Sequence, residues 1–426
     1  MVTQSILPFK LGITKDSMTP HAGLALFGEF LHALELPKTL AARMPAPGSG
    51  AGYQPAEFVL PLVLMLHGGG RTLEDLRQVR LDDGLRELLR MERMPSSDAT
   101  GDWLRRMGQG PGLEGLAAVN RKLVAQGLKD DPRSEFTLDF DATQIVAEKK
   151  DAKRTYKGER GYMPIVGHLA ENGMVVGEEF REGNESPGAR NLAFIDHCAV
   201  QLPQGKRIAH LRSDSAAYQA AIFNWCEAQG VSFAIGADLD AAVLQEIAAI
   251  PDEQWRPYQN GHIAETVHTM NATHKAFRLV VIRRPVQLDF FQGEAPPLRY
   301  KALASNRAES AEETAAWYNR RGETSENRLK ELKLGFAMER MPCGEKEANA
   351  VFFRIGALAH NLFVLFKCQA LPHGWRNHQV QTVRWRFYQT AGKVVSHAGA
   401  SILKVAAEMY ALFEEVRTRC RELALV

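Results

Sequence analysis

The sequence predicts an α/β protein with a mixed sheet at its centre and helical regions on both sides. Apolar residues recur at spacings of three and four through residues 20–130, which indicates amphipathic helices. From Glu135 onwards, strand-like segments alternate with helical ones, and from about residue 346 the pattern is helical and basic. We therefore expect a helical N-terminal region (1–130), the first part of an α/β core (131–240), an inserted and mainly β subdomain (241–300), the second part of the core (301–345) and a helical, basic C-terminal region (346–426).

Composition limits the possible classes. A chain of 426 residues with 45% hydrophobic and 24% charged residues is long enough for several cooperating domains. The longest apolar stretch, Phe58 to Leu66, is too short to span a bilayer, and no basic segment followed by an apolar run begins the chain. We expect a cytoplasmic protein without membrane contact. Five singly scattered cysteines predict neither a disulfide framework nor a thiolate zinc site.

The N-terminal region is predicted to be entirely helical. A stretch of N-cap candidates, Ser96 to Asp98, precedes a short helix that carries Arg105. A helix, a turn and a short helix resemble a helix-turn-helix, so this region is a candidate for DNA binding or dimerisation.

The core is predicted from the order of its elements. Three successive strands begin at Glu135, and an Asn-Gly turn joins the second to the third. A helix, a strand, a helix and a strand follow, up to about residue 240. This is the order of an RNase H-like core. The insertion has a helix and further strand-like runs. A strand and a long helix, with Gly322 as a candidate break, complete the core.

Two of the strands carry acidic residues. Asp139 and Asp141 lie on one face of the first strand, and Asp214 follows the strand that contains Ile208 to Ser213. Each has an ordinary explanation: the pair could be solvated charges on an edge strand, and Asp214 could cap the next helix. If both strands lie in one sheet, however, Asp141 and Asp214 meet, and close carboxylates repel unless a divalent cation neutralises them.

A third carboxylate is available on the long helix. Glu323, Glu326 and Glu331 are surrounded there by Lys and Arg residues, and a solvated face with charge pairs would explain them equally well. Mg²⁺ takes oxygen ligands and often acts in pairs during in-line phosphoryl displacement. Three acids on one site would suit that chemistry.

These residues together resemble the DDE transposases of bacterial insertion sequences, members of the retroviral-integrase superfamily. The resemblance covers most of the chain. The strand from Leu138 to Thr143 looks like the first-aspartate strand of the family, in which Ser or Thr follows the acid by two positions. Thr143 follows Asp141 in this way, so the resemblance favours Asp141 over Asp139. Arg212 to Ser215 resembles the second-aspartate motif. The helix resembles the Tyr-x2-Arg-x3-Glu-x6-Lys signature of the cut-and-paste branch through Tyr318, Arg321, Glu326 and Lys333.

The helix departs from that signature at one point. Four residues, not three, separate Arg321 from Glu326, so either an extra residue bulges near Gly322 or the assignment slips. Glu323 is the competitor, because Lys330 follows it by seven positions. We prefer Glu326, since the sequence after it looks like that of the family after the catalytic glutamate.

The resemblance implies a mechanism and partners. Asp141, Asp214 and Glu326 would bind two Mg²⁺ ions, for which Mn²⁺ would substitute, to activate water or a DNA 3′-hydroxyl and to stabilise the leaving oxygen. Tyr318 and Arg321 would contact phosphates at the transposon end together with Lys333. The implied partners are double-stranded DNA, as terminal inverted repeats and target, and a second copy of the chain on paired ends. A bacterial, nucleoid-associated protein is expected.

Further DNA-binding candidates have weaker support. The resemblance implies an aromatic residue that stacks on a flipped base, and Trp255 is a candidate, although burial in the insertion would also explain it. The remaining candidates are basic residues of the long helix, of the loop after the first strand and of an aromatic C-terminal segment: Arg328, Lys330, Lys153, Arg154, Lys157, Arg384 and Arg386. Solvated loops or packing between helices are the alternatives.

Two other function classes stay open. An RNase H-like nuclease could cut DNA without joining it, and a transposase-derived protein could bind DNA without catalysis. An esterase is set aside because the chain has no G-x-S-x-G motif to accompany its His-Gly-Gly-Gly segment, and a nucleotide-binding loop is set aside because no Gly-rich segment has the required spacing.

Overall fold

The computed structural model describes residues 7, 9–285 and 297–425. Its centre is a nine-stranded mixed sheet, and helices pack around it. Residues 286–296, which belong to the predicted insertion, lie outside the described residues.

The N-terminal region is helical after one short strand. Ser96 caps the helix at residues 97–109 by accepting a hydrogen bond from the backbone N–H of Ala99 at 3.1 Å, as its sequence predicts. The strand corrects the expectation of an all-helical region. The elements are β1 (Ser17–Thr19), α1 (Ala22–Ala33), α2 (Leu36–Arg43), α3 (Pro55–Gly68), α4 (Leu76–Leu81), α5 (Asp83–Leu88), α6 (Ser97–Gln109) and α7 (Gly112–Leu128).

The core follows the predicted order of three antiparallel strands, helix, strand, helix and strand. Its elements are β2 (Glu135–Ala142), β3 (Ile145–Val146), β4 (Lys153–Arg154), β5 (Arg160–Tyr162), β6 (Ile165–Leu169), β7 (Val175–Glu179), α8 (Asn191–Ala199), β8 (Arg207–Ser213), α9 (Ala220–Gln229) and β9 (Ser232–Gly236). In space the order is β7-β6-β2-β8-β9, with β2, β8 and β9 mutually parallel. Residues 136–140 of β2 are all buried, because helices cover both faces of the sheet.

The basic segment after β2 is not the simple loop that we expected. Strands β3, β5 and β4 form a small three-stranded antiparallel sheet beside the main one.

The described part of the insertion extends the central sheet, which corrects the expectation of a separate β subdomain. It contains α10 (Ala241–Ala248), β10 (Arg256–Tyr258), β11 (Gly261–His268) and β12 (Phe277–Pro285), and β13 (Leu298–Ser305) follows. Strand β13 pairs with β9, and β12, β11 and β10 continue outwards, each antiparallel to its neighbour. The reason is physical: β13 satisfies the hydrogen-bonding edge that β9 would otherwise leave open.

The long helix predicted near residue 320 is present, with two π-helical turns. It consists of α11 (Ala311–Asn319), a π turn (Gly322–Glu326), α12 (Asn327–Lys330) and a second π turn (Glu331–Gly335). Ser310 begins it with a capping box to Glu313. Tyr318 and the alanines of α11 pack on β11–β13 in a small hydrophobic cluster, which fixes this helix on the sheet.

The C-terminal region contains α13 (Lys346–Leu365), α14 (Val380–Val383), β14 (Gly392–His397), β15 (Ala400–Lys404) and α15 (Ala407–Ala424). The hairpin β14–β15 pairs with β1, so the expectation of a purely helical region is wrong. Ala398 and Gly399 at its turn both have positive φ, as a tight hairpin requires. The segment Lys346–Ala370 is long and apolar enough to cross a membrane, but 89% of its apolar window is buried against other elements, as in a core helix.

Candidate active site

Two acids meet where parallel strands end. Asp141 is near the carboxyl end of β2, and Asp214 directly follows β8. In the β2–β8 register Asp139 is opposite Arg212, so the residues two positions further on, Asp141 and Asp214, come to the same edge of the sheet. The sequence-based expectation that these two carboxylates meet if their strands share a sheet is thereby met.

The electrostatics of Asp141 report this proximity. The pKa of Asp141 is raised to about 6, first by burial and then by repulsion from Asp214; Arg321 opposes the shift, and Glu326 adds to it. Glu326, the third predicted acid, therefore lies within electrostatic reach of Asp141. Glu326 rather than Glu323 is among the charges that raise this pKa, which favours Glu326 in the choice between them.

The geometry around Glu326 explains the irregular spacing of the helix. The π turn spans Gly322–Glu326, so it contains the whole interval that is one residue too long for the family signature. A π turn closes i→i+5 hydrogen bonds and thus accommodates one more residue than an α turn. Of the two possibilities left open by the sequence, the structure has the bulge.

Three other signature residues line the same side of the helix. Arg321 is buried and donates from Nη2 to Oδ2 of Asp141 at 2.9 Å. Tyr318 is buried, and its phenol oxygen lies near Gly236 at the end of β9. Lys333 donates to the Thr143 hydroxyl at 3.1 Å and to the carbonyl of Gln144 at 2.9 Å. All three thus flank the ends of β2 and β9, although Arg321 and Lys333 are engaged with protein groups.

Asp139 has a different environment from Asp141. It is fully buried, and Arg212 donates to both of its carboxylate oxygens, at 2.7 and 2.8 Å. A buried carboxylate with a bidentate partner is already neutralised. This agrees with the preference for Asp141 as the metal-ligand candidate.

A cavity with three cations in its lining, which the sequence did not suggest, reaches Ser215, the residue after Asp214. Its volume is about 610 Å³, and its lining includes Tyr318 together with Arg284, Arg299 and Lys301 of β12 and β13. The pKa of Lys301 is lowered, first by burial and then by Arg284 and Arg321, whereas Glu326 opposes the shift. Lys301 therefore lies within electrostatic reach of the site. The one sequence signal for this placement was that Lys301 directly precedes the buried residues of β13.

Basic residues on the other side of the site come from the small sheet. Arg154 and Lys157 are exposed, and Lys153 pairs with Glu182. Burial lowers the pKa of Lys333, Glu339 opposes this, and Lys157 lowers it further, so Lys157 is near the end of the long helix. DNA contact by these residues stays a prediction.

Other predicted DNA-binding residues have partners within the protein. Arg384 donates to the carbonyls of Leu66, His67 and Gly335, where α3 and the second π turn end. Arg328 lies against the turn at Gly173. These contacts give both arginines a role in packing, and only local rearrangement would bring them to DNA.

Three predicted residues remain. Trp255 is buried, with the guanidinium of Arg283 4.2 Å from its ring centroid, so stacking on a base would require it to leave this packing. Lys330 and Arg386 are exposed and available to a ligand. Among the described residues, Arg321 donates a hydrogen bond to Asp141, and Trp255, Lys330 and Arg386 make no comparable bond to the three acids.

Among the described residues, no group of three acidic, histidine or cysteine side chains is already arranged as a metal site. Asp214 uses one carboxylate oxygen to accept from the backbone N–H of Ala216 at 3.1 Å, and Arg321 occupies one oxygen of Asp141. Asp141 and Asp214 are thus neighbours whose side chains already have protein partners.

Comparison with known proteins identifies the family. Residues 9–424 match the family model described as transposase DDE domain group 1. No curated protein sequence matches the chain. Among solved structures, the chain is similar to the piggyBac transposase in a cryo-EM structure of its synaptic complex with hairpin DNA, with 11% sequence identity, a TM-score of 0.49 and coverage of 96% of this chain and 86% of that one. Because the family model spans nearly the whole chain, the protein belongs to the DDE transposases of group 1.

Proposed function

We propose that this transposase binds the ends of its element, cleaves phosphodiester bonds there and joins the 3′-hydroxyl ends to target DNA. The observation that carries the proposal is the meeting of Asp141 and Asp214 at one edge of the sheet, with Glu326 of the long helix near enough to raise the pKa of Asp141. The strand order β7-β6-β2-β8-β9, which is that of an RNase H-like core, supports it. So does membership of the family.

The three acids suit a divalent cation. Carboxylate oxygens are the hard ligands that Mg²⁺ and Mn²⁺ take. The pKa of Asp141 is raised by burial first and then by the charge of Asp214, and a bound cation would offset both. When bound, two such ions would activate water or a 3′-hydroxyl and stabilise the leaving oxygen of an in-line displacement. Asp141, Asp214 and Glu326 are the residues that would hold them.

Arg321 and Tyr318 supply contacts to the reacting phosphate. Arg321 neutralises part of the charge of Asp141, and its Nε is buried with no hydrogen-bond partner among the described residues. A phosphate oxygen that enters the site would supply that partner. Tyr318 offers a neutral donor beside it.

The DNA backbone would cross the site between two groups of cations. On the β2 side are Lys333 and Lys157, and on the β13 side are Lys301 and Arg284. Arg and Lys on both sides of a row of acids allow a polyanion to approach carboxylates that would otherwise repel it. We expect two protomers on paired ends, because cutting of the two ends must be coordinated.

A cleavage and joining assay with the DNA ends that flank the gene tests the proposal. Wild type, Glu326→Gln and Glu323→Gln are compared in Mg²⁺, with end binding measured by mobility shift. We expect loss of cleavage in Glu326→Gln alone, with binding retained. Loss of cleavage in Glu323→Gln alone would make Glu323 the third ligand instead of Glu326. Cleavage without joining would indicate a nuclease. No cleavage by wild type would indicate a DNA-binding protein without catalysis.

A further inference from the structure

Three polar residues form a second cluster directly behind the acids. Asp139, Arg212 and Thr324 each precede one of the candidate catalytic acids by two residues. They come from β2, β8 and the first π turn; β2 and the π turn carry Asp141 and Glu326, and Asp214 directly follows β8.

The contacts within this cluster are short and buried. Arg212 donates from Nε and Nη2 to the two oxygens of Asp139, at 2.7 and 2.8 Å. Thr324 donates its hydroxyl to Oδ2 of Asp139 at 2.7 Å. Asp139 and Arg212 are 0% and 2% exposed, so water does not compete for these bonds.

The cluster ties the long helix to both strands. Arg212 also donates from Nη1 to the backbone carbonyl of Trp317 at 2.7 Å, one turn before Arg321. On a strand, residues two positions apart face the same side, so the Asp139–Arg212 pair fixes how Asp141 and Asp214 emerge. Thr324 fixes the π turn in the same way, and a π turn is a rare conformation that needs such support.

We propose that Asp139, Arg212 and Thr324 are positioning residues that hold Asp141, Asp214 and Glu326 in one constellation able to bind divalent metal. This inference rests on the proposed function. Residues behind metal ligands orient them, and their loss typically lowers metal affinity or activity 10- to 100-fold.

Substitutions at Thr324 distinguish a role in positioning the acids from a role in stability alone. Asp139 and Arg212 would neutralise each other without it, and their removal would leave a buried charge that could unfold the protein. Thr324→Val keeps the shape and removes the hydroxyl, which contacts Asp139, Nη2 of Arg212 at 3.2 Å and the carbonyl of Arg320 at 3.1 Å. Thr324→Ser keeps the hydroxyl. Thr314→Val is a matched control: Thr314 is buried in the same helix, and among the described residues its hydroxyl donates only to the carbonyl of Glu309, at 3.5 Å.

The readout is metal binding without reaction. Each protein is bound to a pre-cleaved DNA end that terminates in a dideoxynucleotide, and Mn²⁺ binding is measured by electron paramagnetic resonance. The Mg²⁺ concentration for half-maximal cleavage is measured separately on intact ends. We expect Thr324→Val to weaken Mn²⁺ binding about tenfold, with Thr324→Ser and Thr314→Val close to wild type.

Mn²⁺ affinity in Thr324→Val equal to that of wild type would overturn the inference, as would an equal loss in Thr314→Val. A folded Thr324→Val with fewer active molecules but unchanged Mn²⁺ affinity would also count against it, because that result describes stability alone. If wild type itself binds no Mn²⁺ and cleaves no end, the proposed function fails and this inference fails with it.

Discussion

Replacement of Asp141 by Asn should stabilise the metal-free protein at neutral pH. The pKa of Asp141 is raised from 3.8 to about 6 in the folded protein, by burial first and then by Asp214. A carboxyl group with a higher pKa in the folded state loses its proton less readily there, so the free energy of unfolding falls as pH rises from about 4 to about 6 and stays lower above that. Asn cannot ionise, so the variant lacks this fall.

The size of the effect follows from the shift. About two pKa units at about 1.4 kcal/mol each give about 3 kcal/mol in total, and roughly half of this falls between pH 5 and pH 8. The Asp141 side chain is 23% exposed, so solvent screens part of its interactions. We therefore expect a difference of about 1 kcal/mol between the two pH values.

The assay is urea unfolding of wild type and Asp141→Asn in EDTA at pH 5 and pH 8. The stability advantage of the variant should grow by about 1 kcal/mol from the lower to the higher pH. Asp196→Asn, at an exposed position of α8, is the control and should show no such growth. An advantage that stays constant or shrinks as pH rises would refute the raised pKa of Asp141 in the folded protein.

Two further predictions separate binding residues from packing residues. Lys301→Ala should weaken binding to the DNA end. It should also reduce the slope of log binding constant against log salt concentration by about one, measured by mobility shift at several salt concentrations. Lys275→Ala, at an exposed lysine paired with Glu227, is the control. Equal effects of the two changes would contradict a specific contact between Lys301 and the DNA end. Arg384→Ala should lower the free energy of unfolding by about 3 kcal/mol or more, because three backbone carbonyls lose their donor. Exposed Arg386→Ala should change it by less than about 0.5 kcal/mol in the same urea experiment, and similar values for both would contradict the packing role of Arg384.

The central sheet was predictable because its strands are buried and regular. β2, β8 and β9 combine apolar runs with clear turns, so their order along the chain follows from the pattern. The meeting of Asp141 with Asp214 needed the further condition that β2 and β8 share a sheet, which the structure meets. The hairpin β14–β15 was missed for the opposite reason. Most of its residues are exposed, so hydrophobic alternation is weak, and its partner β1 lies at the far end of the chain.

Residue type alone could not reveal the contacts among polar groups. Asp139 and Asp141 have the same residue type on the same strand face, and only the position of Arg212 on the neighbouring strand separates their roles. Lys301 likewise lies near the acids because β13 pairs with β9, from which it is separated in the sequence by the insertion. Such relations depend on packing between distant segments rather than on local pattern.

The interval between Arg321 and Glu326 shows how a departure from a motif can carry structural information. In an α-helix each residue turns by about 100°, so residues four apart point within about 40° of each other, whereas residues five apart diverge by about 140°. With regular α geometry, Arg321 and Glu326 could not both face Asp141. The π turn absorbs the additional residue, and Thr324, which lies inside that turn, is bound to Asp139. The extra residue and the Thr324 hydroxyl therefore act together. Deletion of a residue from the turn would displace Thr324 from Asp139 even though it restores the spacing of the signature.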